Sequence, residues 1–284
     1  MTTRLLHTRA QLRAALGNRS GEVGVVMTMG ALHDGHRELI RVARRRCDVI
    51  VVTDFLNPLQ FAPDEDLSRY PRTLDADLAL CSEESVDVLF APDVAEVYAS
   101  GEPQVRVLAG PLGDVLEGAS RPGHFDGVLT VVAKLLHITR PDVAYFGQKD
   151  AQQLLLIRRM VDDLDFPVQV VAVPTVREPS GLALSSRNGY LDEDDRVVAV
   201  VLSRSLSAAA AVAADGPVAV LTTAREVLDA QPALGLDYVA LVDPITLRDV
   251  GPGFAGTALL ALAAKVGRTR LIDNAEIELG SADG

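Results

Sequence analysis

Along the first 175 residues, short apolar runs alternate with segments whose apolar residues recur at helical spacing. This alternation constrains the fold more than any other feature. Val23–Thr28 reads as a buried strand, residues 36–46 as a helix with Leu39, Ile40 and Ala43 on one face, and DVIVVTDF (48–55) as a second strand. The series continues with a helix over 74–85, a strand over 86–91 and a helix over 125–139. A strand over 142–146 that ends in Gly147, a helix over 151–163 and a strand over 168–173 complete it. Strands separated by helices are βαβ units, and these build a parallel sheet with helices on its faces. The expected class is α/β.

After Thr175 the texture changes. REPSGLALSSRNGYL is polar, bears Gly and Ser, and reads as a loop. Helices over 193–213 and 217–230 follow, then β-like runs at 237–242, 257–264 and 268–273. Helices grouped before strands make a smaller C-terminal α+β domain. The expected division is 1–175 and 176–284. A chain of 284 residues, 48% hydrophobic, is long enough for two cores.

The net charge of -12 argues against nucleic acid as a partner, because phosphate backbones demand basic patches. A small anionic substrate remains compatible, since a few local cations dominate the potential in one cleft. No apolar run approaches the roughly 18 residues that span a membrane. The opening MTTRLLHTRAQLRAAL lacks the apolar core of a signal peptide, so no membrane partner is expected. Cys47 and Cys81 show neither metal-ligand spacing nor a disulfide framework, which suits a reducing cytoplasm.

Ligands of open parallel sheets bind at the carboxyl ends of the strands. The polar stretches that follow such ends are TMGALHDGH (28–36), NPLQF (57–61), FGQKDAQQ (146–153) and LSSRN (184–188). In the first, Gly30 and Gly35 allow close backbone approach to a ligand. A helix beginning near His36 aims its N–H groups and positive dipole end at the loop, which favours an anion. His33 and His36 add ring donors, a combination suited to a phosphate whose charge rises in a transition state. The plainer alternative is a pair of surface histidines at a helix cap. Lys149 can reach phosphate as a point charge, or stand exposed at a helix start. Asp150 suits a ribose hydroxyl or the first turn of the helix. Gln60 and Gln153 are neutral amides that suit a carboxylate or hydroxyl, and the Ser/Arg/Asn loop suits phosphate oxygens. Asp75 and Asp77 suit Mg²⁺ or simply a helix N-terminus. In RPGHFDGV (121–128), His124 and Asp126 read as structural cap residues. There is no HExxH, Walker A or GxGxxG, and no legible Ser-His-Asp or Cys-His set.

Taken in order, TMGALHDGH, NPLQF, YPRT, RPGHFDGVLTVV, FGQKDAQQ and ALSSRNGYL resemble the pantothenate synthetase (pantoate–β-alanine ligase) family. HDGH looks like the HxGH signature of its nucleotidyltransferase superfamily. The resemblance implies a Rossmann-like first domain that binds nucleotide and pantoate, a C-terminal lid domain, Mg²⁺ and a homodimer. It implies that ATP and pantoate form pantoyl adenylate and pyrophosphate, and that β-alanine then displaces AMP. Carried onto this chain, Met29, Gly30, Ala31, Leu32, His33, Asp34, Gly35 and His36 form the ATP loop, with His36 as proton donor and His33 beside it on the α-phosphate. Gly147, Gln148, Lys149 and Asp150 hold ATP, with Lys149 on the phosphates. Val176 touches adenine through its backbone, and Leu184, Ser185, Ser186 and Arg187 close over the triphosphate. Gln60 and Gln153 bind pantoate.

The chain departs from that pattern in places. Met27 stands where the family has Pro, Thr53-Asp54 where it has Ser-Ile, Leu56 for Val and Leu184 for Met. Asp54 brings an extra carboxylate to a strand end. HxGH alone is also compatible with another nucleotidyltransferase that adenylylates a phosphate acceptor, or with a nucleotide-binding module without turnover. Gln60 and Gln153 argue against a phosphate acceptor, which would call for Arg or Lys.

Overall fold

The chain leaves its first strand, β1 (Arg4–Leu6), through a capping box into α1 (Arg9–Leu16). The Thr8 hydroxyl accepts from the Gln11 amide, and the Gln11 side chain accepts from the Thr8 N–H. A three-residue strand gives too little pattern to count, so the sequence reading passed over it. The computed structural model describes residues 2–17, 20–63 and 65–280. Two compact units emerge: Met1–Gln148 with Gln152–Pro174, and Lys149–Ala151 with Thr175–Gly284.

The first unit continues as β2 (Val23–Thr28), α2 (Asp34–Arg44), β3 (Val49–Asp54), α3 (Leu74–Glu83), β4 (Val88–Phe90), α4 (Val94–Val97), α5 (Glu117–Ser120) and α6 (His124–Thr139). β5 (Val143–Gly147), α7 (Ala151–Asp163) and β6 (Gln169–Val173) complete the series. The six strands lie in the order β1-β4-β3-β2-β5-β6. Every pairing is parallel. Val25, Val26, Val51, Val52, Val143 and Ala144 are completely buried, as expected where helices cover both faces of a parallel sheet. The α/β expectation is borne out, and each strand and helix expected before residue 175 is present with ends shifted by a few residues.

Topology marks the site. From β2 the chain steps to β3 and β4 on one side, then returns to place β5 on the other side of β2. The winding reverses between β2 and β5, so their carboxyl ends form the switch point where such sheets bind ligands.

The second unit holds α8 (Glu193–Ala199), α9 (Val201–Ala211), α10 (Pro217–Asp229) and an antiparallel sheet of β7 (Leu234–Val242), β8 (Gly256–Val266) and β9 (Thr269–Leu279). The single helix expected over 193–213 is two, divided at Val200. The β-branched run Val197, Val198, Val200 and Val201 crowds the preceding turn and weakens the helix there. β9 runs past the expected end at 273, because Asn274, Glu276 and Glu278 alternate with Ala275, Ile277 and Leu279. Leu260, Leu262 and Val266 form its core with Leu202, Leu206, Val220 and Leu228.

Candidate active site

The turn after β2 is bent by two successive left-handed residues, Gly30 (φ 80°) and Ala31 (φ 51°). A side chain in that region costs about 1 kcal/mol, so something must hold Ala31 there. Asp77 does: its carboxylate accepts the Ala31 N–H at 3.0 Å and the Leu32 N–H at 2.7 Å, while the Thr73 hydroxyl donates to it at 3.1 Å. Thr28 steadies the other side, donating to the Thr53 carbonyl at 2.7 Å and accepting the Gly30 N–H at 3.1 Å. A Cβ at Gly30 would also lie 2.4 Å from an Asp54 oxygen, so the Asp54 side chain would have to move for any other residue to stand there. Asp54 ends β3 against this turn, and burial, then the charge of Asp77, pushes its carboxyl up to about 6.

The turn feeds α2 through histidine caps. His33 is the N-cap residue; its Nδ1 accepts the Gly35 N–H at 3.1 Å. His36 reaches back, its Nδ1 accepting the His33 N–H at 3.2 Å. This is a capping box with imidazoles in place of hydroxyl and carboxylate. With Nδ1 an acceptor in both rings, the neutral tautomer of each carries its proton on Nε2. The rings lie 4.1 Å apart, centre to centre. Two Nε2–H donors beside a helix N-terminus make a natural anion site.

The loop after β3 is a single 3-10 turn, Pro58–Gln60. Asn57, buried, accepts the Tyr98 hydroxyl proton at 2.8 Å and donates to the Gln60 side-chain oxygen at 2.9 Å and to the Gly127 carbonyl at 3.1 Å. That fixes the amide orientation of Gln60, whose nitrogen then meets the Met29 sulfur at 3.1 Å. The Gln60 carbonyl accepts from His124 Nδ1 at 2.8 Å. Gly127 makes the approach of α6 to the turn possible, since a Cβ there would lie 2.2 Å from the Leu59 carbonyl oxygen.

Past β5, Gln148–Asp150 form a 3-10 turn. Lys149 and Asp150, expected in the first domain, group with the second unit, where Asn274 donates to the Lys149 carbonyl at 2.7 Å. In α7, Gln152 is spent on structure: it donates to the carbonyls of Leu112 and Val115 and accepts the Glu117 N–H. Its neighbour Gln153 lies on a different helix face and is half-buried. In the second unit the expected polar loop is a hairpin. Pro179 opens a turn closed by the Gly181 N–H on the Glu178 carbonyl, and the Leu184 N–H bonds the Val176 carbonyl at 2.9 Å. Ser185 caps the 3-10 turn of Ser186 and Arg187, accepting the Arg187 N–H. Behind it, Arg177 forks onto buried Asp273 at 2.6 and 2.9 Å, and Arg196 pairs with Glu178.

Asp75 and Asp77 do not come together as a metal pair. Two residues apart on α3, they face different sides; Asp75 is exposed, while Asp77 is buried with its oxygens taken by backbone amides. Among the described residues no group of three or more His, Cys, Asp or Glu could hold a metal ion. The 177–191 segment is a loop, as expected, tied down by ion pairs, a turn and the isolated bridge Arg177–Ala183. Sequence reasoning also passed over Asn57 and Tyr98; only the Asn-Pro turn signal before Leu59 pointed that way.

Comparison with known proteins agrees with this geometry. Residues 4–276 match the family described as Pantoate-beta-alanine ligase. A pantothenate synthetase of Salinispora arenicola is 58% identical over 281 residues, covering 98% of each chain. The crystal structure of pantothenate synthetase from Thermus thermophilus superposes with a TM-score of 0.93 at 51% identity, covering 97% of this chain and 100% of that one. The pantoate-beta-alanine ligase of Francisella tularensis, complexed with beta-gamma ATP and beta-alanine, gives 0.79 at 33% identity, covering 96% and 97%. A parallel sheet with a doubly histidine-capped turn at its switch point, matched over nearly its whole length, places this chain in the pantoate–β-alanine ligase family.

Proposed function

We propose that the chain joins pantoate to β-alanine with ATP, releasing AMP and pyrophosphate, and that it passes through pantoyl adenylate. The family assignment supports the overall reaction, and the complex of the Francisella relative with an ATP analogue and β-alanine supports those two ligands. The observation that carries the first step is the paired cap of α2 at the switch point. In that step the pantoate carboxylate attacks the α-phosphorus and pyrophosphate leaves. Such a step needs positioning and charge neutralisation more than a strong base. The Nε2–H groups of His33 and His36 and the N–H groups of the Met29–His36 turn supply donors to the α-phosphate. Gln60 and Gln153 hold pantoate; Lys149 neutralises phosphate charge, with Gly147, Gln148 and Asp150 beside it. Val176 and Leu184–Arg187 complete nucleotide binding. In the second step the amine of β-alanine attacks the acyl carbon and AMP leaves. We assign residues 1–175 to nucleotide and pantoate binding and 176–284 to a lid.

Among the described residues no group of three or more His, Cys, Asp or Glu forms a ready-made metal cage. Mg²⁺ belongs to this reading as the counter-ion of ATP, held by phosphate oxygens and water. No described helix is long and apolar enough to cross a membrane. Two free, buried cysteines suit a reducing compartment, and we assign the cytoplasm. We further propose that the chain works as a homodimer.

Pyrophosphate–ATP exchange, measured with and without pantoate and without β-alanine, tests the intermediate. Pantoate-dependent exchange is expected. Pantothenate formation without any such exchange would overturn the adenylate.

A further inference from the structure

We propose that His124, held in one tautomer by Arg121 and Glu65, is a positioning residue that sets the Gln60 amide for pantoate; this rests on the assignment of Gln60 to that substrate.

The geometry is asymmetric around one imidazole. Its Nδ1 lies 2.8 Å from the Gln60 carbonyl, which only accepts, so Nδ1 carries the proton. Its Nε2 lies 3.0 Å from Arg121 Nη1, which only donates, so Nε2 is the acceptor. Arg121 is itself fixed by a forked pair with Glu65, Nε to Oε1 at 2.6 Å and Nη2 to Oε2 at 2.8 Å, and its Nη2 lies 3.4 Å from the same Gln60 carbonyl. Arg121 thus donates both to Glu65 and to His124, and His124 in turn donates to the backbone carbonyl of Gln60. Asn57 orients the Gln60 side chain from the other end. The Gln60 amide nitrogen meets the sulfur of Met29, a weak acceptor that an oxygen of a carboxylate or hydroxyl would readily replace.

The surroundings of His124 favour the neutral ring. Burial, then the Arg121 guanidinium, pushes it down to about 4, against smaller opposing effects of the Gln60 carbonyl, Glu65 and Glu117. A histidine kept neutral over the whole working range of pH is a fixed strut.

Substitution separates this role from simple packing. Asn retains a donor near the place of Nδ1, whereas Ala removes it. His124→Ala is expected to raise the KM for pantoate roughly 10–100-fold, the scale of a misplaced contact, with the KM for ATP within about twofold. His124→Asn is expected to recover most of that loss. In a Gln60→Ala background, His124→Ala should add little, because both act through one group. Nitrogen NMR of the protein should report an Nδ1–H ring that stays neutral at pH 6. A normal pantoate KM in folded His124→Ala, equal rises for ATP and pantoate, additive losses in the double variant, or an Nε2–H ring would each overturn the proposal. Gln60→Ala alone tests the underlying assignment: an unchanged pantoate KM there removes Gln60 as its ligand, whatever His124 does. Should the Ala variant not fold, the Asn variant and the NMR tautomer decide.

Discussion

The first turns of α2 and α6 both present histidine, and they use it in opposite ways. At α2, Nδ1 of His33 and of His36 accepts backbone N–H groups of the same turn, so each neutral ring carries its proton on Nε2. At α6, Nδ1 of His124 donates to a carbonyl 64 residues away, and Nε2 faces a guanidinium. The first arrangement places Nε2–H donors beside a helix N-terminus, where an anion is favoured. The second consumes both nitrogens within the protein. A histidine's chemistry is decided by what meets its Nδ1.

The largest expected effect breaks the α2 side of this comparison. His36→Ala and Lys149→Ala should each lower kcat by roughly 10²–10³, the scale for losing one donor to a transition state, and steady-state assays of pantothenate formation check it. His33→Asp sharpens the point. Aspartate is a good N-cap, so the melting temperature should hold while kcat falls by a similar factor. An equal fall in stability would mean that His33 serves only the cap.

On the α6 side, Gly127→Ala should destabilise the fold by about 2–3 kcal/mol in urea titration, because the added methyl meets the Leu59 backbone and cannot be relieved by rotation. The displaced turn should weaken pantoate binding as well.

The smallest effect belongs to Asp54, which lies against the α2 turn. Its carboxyl is raised to about 6, so the folded state disfavours the ionised form. The stability linked to the protonated carboxyl is present in full below the ordinary carboxyl range and is lost as pH rises through about 6. Asp54→Asn should therefore stabilise by about 1–2 kcal/mol at pH 7.5, after allowance for partial solvent screening, and by nothing near pH 3.5. Thermal melts at the two pH values check the sign.

Much of the fold was legible because it is written locally. The apolar runs of β2, β3 and β5 and the helical spacing between them specify a parallel sheet without reference to distant residues. The cap of α2 was nearly legible too, since its partners lie within three residues of one another. The short pair β1 and α1 was missed for want of pattern, and the extension of β9 because its outward residues are polar.

Sequence by itself thus determined the α/β class, the α+β texture after residue 175 and the histidine-bearing turn. Only the tertiary structure decided what surrounds that turn. Asp77 looked like a helix-start acid or a metal ligand; the fold brings it 46 residues back along the chain to clamp Ala31. His124 looked like a cap residue, and the fold turns it onto Gln60. The physical reason is range. Capping and periodicity depend on residues a turn apart, whereas a carboxylate's role or a histidine's tautomer is set by whichever donor or acceptor the packed chain delivers to it.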